Sequence, residues 1–395
     1  MRKSGSGLLI VALFVASLNM RPAINSIAPV VETIRSNLGM SAMVASLLTS
    51  IPVLCMGIFS LLAAKLGARW GIERILYWSL GLIGIGTALR LFTNTTPFLL
   101  FTAFLAGLGI AATGPLLSGF IKRYFTNRVP AMISIHTVAL TLGVSLSSGL
   151  TAPLLNATHS WQAALAVWAI LAIIAVPVWW LFVLRRGEQP ARESSAPSSA
   201  AKIPWGNKQA WLLTFSFGLM AMVFYTVSAW LPPIAQEMGY SKVYAGNVLT
   251  IFAVIQMPMI LLVPMLLKWH SSRLTWLLAA TAMEFVGFLL IILSAPPWIA
   301  AVFIGIGAGL IFPLHLILPI DVATDAQEAA SWSAMNQSIG FVISALGPII
   351  MGWIHDFTKS FFWAVIGLMA INVIMIVVQI AAVPRKTKNQ AKAAA

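Results

Sequence analysis

The sequence predicts an all-helical membrane protein of twelve transmembrane helices, arranged as two pseudo-symmetric six-helix bundles. Three observations predict it. Apolar residues make up 59% of the 395 residues and charged residues only 9%, where an ordinary soluble domain carries about 25% charged residues. The apolar residues fall into twelve runs, each near the roughly 20 residues that a helix needs to cross a bilayer core. Short motifs also recur at an offset near 200 residues. This composition excludes a soluble enzyme, a disordered chain and a collagen. The single cysteine, Cys55, excludes an intramolecular disulfide and a cysteine metal cluster.

The spans are expected near 7–31, 42–64, 74–93, 97–121, 129–154, 161–184, 209–234, 243–267, 274–294, 298–320, 330–353 and 361–383. The first begins like a signal peptide, with Arg2 and Lys3 ahead of an apolar run. It continues with Asn19-Met20-Arg21-Pro22 in place of a small-residue cleavage site, so it reads as a retained helix. Gly39-Met40-Ser41 with Ala45 opens span two and recurs as Gly239-Tyr240-Ser241 with Ala245 at span eight. Gly107 and Gly109 followed by Pro115 in span four recur as Gly305 and Gly307 followed by Pro313 in span ten. Between spans six and seven lies a hydrophilic stretch with Pro190 and a serine-rich run at 194–199, the composition of a flexible linker. The expected organisation is an N-terminal bundle at 1–184, a cytoplasmic linker at 185–208, a C-terminal bundle at 209–384 and a basic tail at 385–395. Two parallel six-helix repeats around a midplane site describe a secondary transporter.

The net charge of +14 would suggest nucleic acid in a soluble protein. Here the basic residues sort by side. Nineteen lie on the side of the termini; Arg35, Arg90, Lys242 and Lys359 lie on the other, and Arg21 lies inside span one. By the positive-inside rule, both termini are cytoplasmic and the protein is multi-pass in the cytoplasmic membrane. No basic patch remains for nucleic acid.

Asn19-Met20-Arg21-Pro22, Leu47-Leu48-Thr49-Ser50-Ile51-Pro52, Phe120-Ile121-Lys122-Arg123, Ala229-Trp230-Leu231-Pro232, Phe312-Pro313-Leu314 and Gln337-Ser338-Ile339-Gly340-Phe341 stand in order along nearly the whole chain. With them the sequence resembles the major facilitator superfamily, and within it the cyanate and 2-nitroimidazole transporter family. The resemblance implies the major facilitator fold, an alternating-access carrier of a small solute, and a cavity lined by spans one, four, seven and ten. The superfamily's loop between spans two and three usually carries an acid before its arginine. Here Ala68 stands there, beside Arg69, Gly71 and Arg74, and Glu73 is the acid that would take over the cytoplasmic gate. A solvated basic loop that only orients the protein is the alternative.

Ionisable groups at bilayer depth are functional suspects. Arg21 is the sharpest: a permanent charge with five donors beside Pro22, suited to a small anion, a nitro group or a carboxylate. Pairing with an acid or carbonyls across the bundle is the alternative. Asn25 lies one turn on. Gln256, Asn336 and Gln337 offer amides that orient a polar solute, Tyr225 and Trp230 an aromatic wall, and His315 a further polar contact; interhelical hydrogen bonds are the competing reading. Asn336 follows His136 by 200 residues. His136, His315 and Glu284 are candidates for proton coupling. In this superfamily span nine, which carries Glu284, lies outside the cavity, so a structural acid is the alternative there. His159, His270 and His355 read as surface residues; Trp70, Trp161 and Trp298 read as interface anchors.

The expected function is movement of a small anionic or polar solute, cyanate-like or nitroimidazole-like, with protons as a second partner and the lipid bilayer as surroundings. The chain is expected to act as a monomer, with no metal, cofactor or catalytic residue. No Gly-x-x-x-x-Gly-Lys-Ser/Thr and no His-Glu-x-x-His occurs, which disfavours an ATP-driven pump and an intramembrane protease. A proton-coupled exporter of neutral or cationic aromatics would need a cavity acid, for which Glu284 is the mid-span candidate. A non-transporting membrane sensor is the alternative of another class.

Overall fold

The structure is a computed structural model that describes residues 3–125, 128–185, 204–322 and 326–383; most of the expected linker and the basic tail lie outside them. It contains twelve helical spans and no strand among the described residues. Most ends run a few residues beyond the apolar runs, as in Thr96–Tyr124, Val129–Thr158 and Lys208–Glu237. Asn207 caps Lys208–Glu237 by accepting the N–H groups of Gln209 and Ala210, and Lys122 and Arg123 stand in the last turn of Thr96–Tyr124. An even number of crossings leaves residues 3 and 382 on one face, the termini face; the other is the far face.

Span one departs most from the expected pattern. It is helical over Lys3–Leu18, breaks, and resumes as Pro22–Asn25, a 3-10 turn Ala28–Val30 and a last helix Val31–Leu38. Pro22 has no N–H to donate to the Leu18 carbonyl. Met20 turns its N–H to Ser17 instead, at 3.2 Å, and Ile27 turns its own to Ile24. Gly143 of span five packs on the break. A Cβ there would stand 2.7 Å from the Leu18 carbonyl oxygen, so only glycine permits this approach.

The two halves repeat in their local devices. Gly39 and Gly239 take left-handed φ of 62° and 93°, ending the helical segments before spans two and eight. Ser41 and Ser241 then accept the N–H of Val44 and Tyr244, each at 3.2 Å. A second repeat, absent from the expectations above, closes spans five and eleven. His159 and Lys359 both adopt left-handed φ, and Thr158 and Thr358 each donate to the carbonyl two residues on. Gly109 and Gly307 do the same work in spans four and ten. A Cβ at either would stand 2.5 Å from a carbonyl, that of Ser79 in span three or Ala280 in span nine.

Spans two, five, eight and eleven carry most of the contact between halves. Asp356 at the end of span eleven accepts the N–H groups of Ala42 and Met43, both at 2.7 Å, and so caps span two, Ala42–Trp70. Lys242 donates to Thr33 at 2.7 Å, and Thr250 to the Ser145 carbonyl at 3.1 Å. At mid-depth Ser338 donates to the Gly57 carbonyl at 2.7 Å. These bonds run from the far face to the middle of the bundle.

Candidate substrate site

The break in span one places Arg21 at the junction of the halves. Its guanidinium carbon lies 5.8 Å from the ring centre of Phe224 and 6.0 Å from that of Tyr225, both on span seven. A cation over an aromatic face is held by the ring's negative quadrupole. The aromatic cluster continues from Tyr225 to Phe341 of span eleven, 6.2 Å between centroids, and from Phe341 to Phe217, 5.5 Å. The Tyr225 hydroxyl meets the Met56 sulfur of span two at 3.7 Å. Among the described residues Arg21 makes no ion pair and no hydrogen bond through its side chain. The fork of donors stays available beside flat rings.

Around this point sit polar groups from the same segment. Asn25 is 2% exposed, and its backbone N–H bonds to the Arg21 carbonyl at 3.0 Å. The Asn25 Oδ1 and Asn19 Nδ2 are buried and have no partner among the described residues. His136 lies within coulombic range of Arg21, and its Nδ1 shares a 2.7 Å hydrogen bond with the Ser17 hydroxyl.

Arg21 thus meets Tyr225, with Asn25 one turn on and His136 near enough to feel its charge; among the described residues the other candidates bond elsewhere. Asn336 is buried and accepts the Thr214 hydroxyl at 2.8 Å. It thus mirrors His136: both bond a hydroxyl on the first helix of their own half. His315 is 1% exposed, between the Ser216 hydroxyl at 2.8 Å and the Ile311 carbonyl at 2.9 Å. Gln256 donates to the Phe252 carbonyl of its own helix, and Gln337 is exposed. Trp230 donates to the Pro348 carbonyl at 3.0 Å and rests on Phe361. It also borders a small cleft between the halves with Ile27, Ala28, Thr49 and Ala229, on the far side of Arg21 along span seven.

Glu284 is buried at 1% exposure, and its Oε2 is unpartnered among the described residues. It packs on span ten, where a Cβ at Gly307 would stand 2.5 Å from its Cγ. Ile83 holds the same position against Gly109 in the other half. Thus the only mid-span acid occupies a helix-packing position that is apolar in its twin.

At the termini face Arg69 and Arg74 are exposed, and Gly71 turns the loop with φ of 91°. Glu73 accepts from Arg123 at 3.2 Å and from the Tyr124 hydroxyl at 2.9 Å, while Trp179 donates to its carbonyl at 3.0 Å. It therefore ties spans three, four and six of one half. The other half has the same bridge with charges exchanged: Arg273 donates to Asp321 at 2.9 Å.

Arg90, placed by the sequence on the far side, stands at that end of span three, fully buried, and donates to the Ala23 carbonyl at 2.7 Å. Two sequence expectations are corrected. Trp161, expected as an interface anchor, is 3% exposed with its indole N–H directed at Asn37; Trp70 and Trp298 do stand exposed. His355, expected on the surface, is half-buried, 4.2 Å from the Phe361 ring and 3.6 Å from Glu237. Each lies near a span end, where hydropathy alone does not tell a lipid-facing side chain from an inward one.

Residues 9–345 match the family model of the Major Facilitator Superfamily. The chain is 31% identical to the cyanate transport protein CynX of Escherichia coli (strain K12), over 92% of this chain and 96% of that protein. It is 30% identical to the 2-nitroimidazole transporter of the same organism, over 93% of each. Among solved structures, the nucleoside transporter NupG (D323A mutant) superposes with a TM-score of 0.78 at 14% identity, covering 95% of this chain and all of that one. The broken first span, the paired halves and these matches agree: the chain is a multi-pass membrane transporter, not an enzyme, and belongs to the Major Facilitator Superfamily in the family of the cyanate and 2-nitroimidazole transporters.

Proposed function

We propose that this secondary transporter carries a small anion or a planar polar solute, cyanate-like or nitroimidazole-like, by alternating access across the cytoplasmic membrane, with both termini cytoplasmic. One observation carries the reading. Span one breaks at Pro22 and presents the Arg21 guanidinium, without an acid partner among the described residues, over the faces of Phe224 and Tyr225 on the opposite half. A guanidinium supplies a planar fork for an anion or nitro group. The rings beside it supply a flat apolar wall for a heterocycle. Because Arg21 comes from one half and the rings from the other, a solute held between them is released when the halves rock apart. Asn25 adds directed hydrogen bonds. His136, His315 and Glu284 are the candidate titratable groups inside the spans for a coupled proton. The relatives named for cyanate and 2-nitroimidazole transport support this solute class.

The supporting experiment is a thermal-stability panel on the purified full chain and on Arg21→Ala. The ligands are cyanate, nitrate, bicarbonate, small carboxylates, 2-nitroimidazole and cationic dyes. A ligand specific to the folded state stabilises it by about 2.7 kcal/mol at a hundredfold excess over its dissociation constant. Stabilisation by an anion or nitro compound that disappears in Arg21→Ala is expected. Stabilisation by cationic dyes alone, equal in both proteins, would overturn the reading.

A further inference from the structure

Arg90 is buried against the direction its neighbours dictate. It lies on the 3-10 turn Leu89–Phe92 that ends span three. Leu91 and Phe92 on that turn are 49% and 68% exposed, while Arg90 is 0% exposed. A basic residue that only marked topology would extend its head toward the headgroups. Here the apolar side chains face outward and the guanidinium faces the protein. Its Nη2 donates to the Ala23 carbonyl at 2.7 Å.

That carbonyl is one of those that the break in span one leaves without a helical donor. In a continuous helix it would accept from the N–H of Ile27. Here Ile27 bonds to the Ile24 carbonyl at 3.5 Å, although the two preceding donors keep the helical pattern, Asn25 to Arg21 and Ser26 to Pro22. Arg90 therefore takes the place of a missing backbone donor. Among the described residues it has no acid partner, and its Nε and Nη1 remain unbonded. A buried permanent charge is costly when unpaired. A surface position would have spared that cost, so the feature served is the carbonyl it reaches.

We propose that Arg90 is a positioning residue for solute recognition: by holding the Ala23 carbonyl from behind, it keeps span one broken and fixes the segment that aims Arg21 and Asn25 across the interface. Two guanidinium groups then bracket one short stretch. Arg21 works at its front toward span seven, and Arg90 works at its back from span three. Without Arg90, the Ala23 carbonyl loses its donor, the stretch loosens, and Arg21 loses its fixed bearing on Phe224 and Tyr225. The recognition role rests on the solute reading above; the clamp on span one does not.

The test is hydrogen exchange on the full-length protein in detergent, without ligand, for wild type, Arg90→Met, Arg90→Gln and Arg90→Lys. Amides of residues 19–30 are expected to exchange at least fivefold faster in Arg90→Met. Those of span nine should stay unchanged, and Arg90→Lys, which can still donate to the carbonyl, should recover most of the protection. If Arg90→Met does not fold, Arg90→Gln is judged by the same criterion against Arg90→Lys. Unchanged exchange over 19–30 in a folded variant, or an equal rise across span nine, overturns the proposal. A second arm measures binding of cyanate and of 2-nitroimidazole. Whichever binds the wild type should bind Arg90→Met at least tenfold more weakly, with partial rescue in Arg90→Lys; equal affinity overturns the positioning role. Should neither bind the wild type, the solute reading fails, while the exchange arm still judges the clamp.

Discussion

Arg21 meets two requirements of a small planar anion at once, a fork of N–H donors and flat apolar rings alongside. Lysine would keep the charge and lose the fork. Arg21→Lys is accordingly expected to weaken binding of the recognised solute about tenfold, or about 1.4 kcal/mol, with little change in melting temperature. Equal affinity, measured by titration calorimetry, would mean that charge alone suffices. Glu284 sits behind span ten in a packing position. Glu284→Gln keeps its shape, so uptake and its pH profile should stay within twofold of wild type; a flattened pH profile would assign coupling to this acid. Arg21 was legible in the sequence because a charge beside proline inside an apolar run has few explanations. Arg90 was not, because Leu-Arg-Leu-Phe at a span end fits a loop facing headgroups as well as it fits an inward arginine. Only the exposure of Leu91 and Phe92 separates the two.

At the scale of elements, span one depends on the residue that cannot close its ladder. Pro22→Ala restores an N–H for the Leu18 carbonyl and favours a continuous helix. Solute binding should fall at least tenfold while the folded protein keeps or gains stability. Retained binding would show that the break is dispensable. Asp356 joins span eleven to the first turn of span two through two bonds from backbone N–H groups, strengthened by its charge and by the helix dipole. Asp356→Asn weakens that latch. Distances between spin labels at Ser36 and Lys359, both exposed at the far face, should broaden toward longer values; an unchanged distribution would mean that the other contacts there suffice. The positions of all twelve spans were readable from apolar runs, since burial in lipid imposes that pattern on every helix. A disturbance at Pro22 was legible from its missing N–H; the extent of the break was not, because its residues keep the apolar character around it, and proline also occurs inside unbroken spans here, as at Pro52 and Pro115.

Across the whole molecule, the duplication carries the architecture. Offsets near 200 residues link Gly39 with Gly239, Ser41 with Ser241 and Gly109 with Gly307, and the structure gives each pair one shared task. Such devices were visible as sequence because turns and close helix contacts admit few residue types. The exchanged charges of Glu73–Arg123 and Arg273–Asp321 were hidden, since an ion pair is conserved in position while its members trade places. The site was only partly legible for a related reason. His136 and Asn336 are mirror positions, yet one is a titratable imidazole that feels the Arg21 charge and the other an amide that does not titrate. One half supplies the guanidinium and the other the rings, so the proposed recognition lies in the asymmetry between duplicated halves, which a repeat search averages away.

The proposed recognition of the solute by Arg21 between the halves is open to a transport assay. It is tested most directly by uptake of labelled cyanate and labelled 2-nitroimidazole into proteoliposomes holding wild type or Arg21→Gln, matched for protein content and melting temperature. Saturable uptake of at least one of the two by wild type, inhibited by excess unlabelled solute and at least tenfold slower in Arg21→Gln, is expected. Saturable uptake that is equal in both proteins would contradict it.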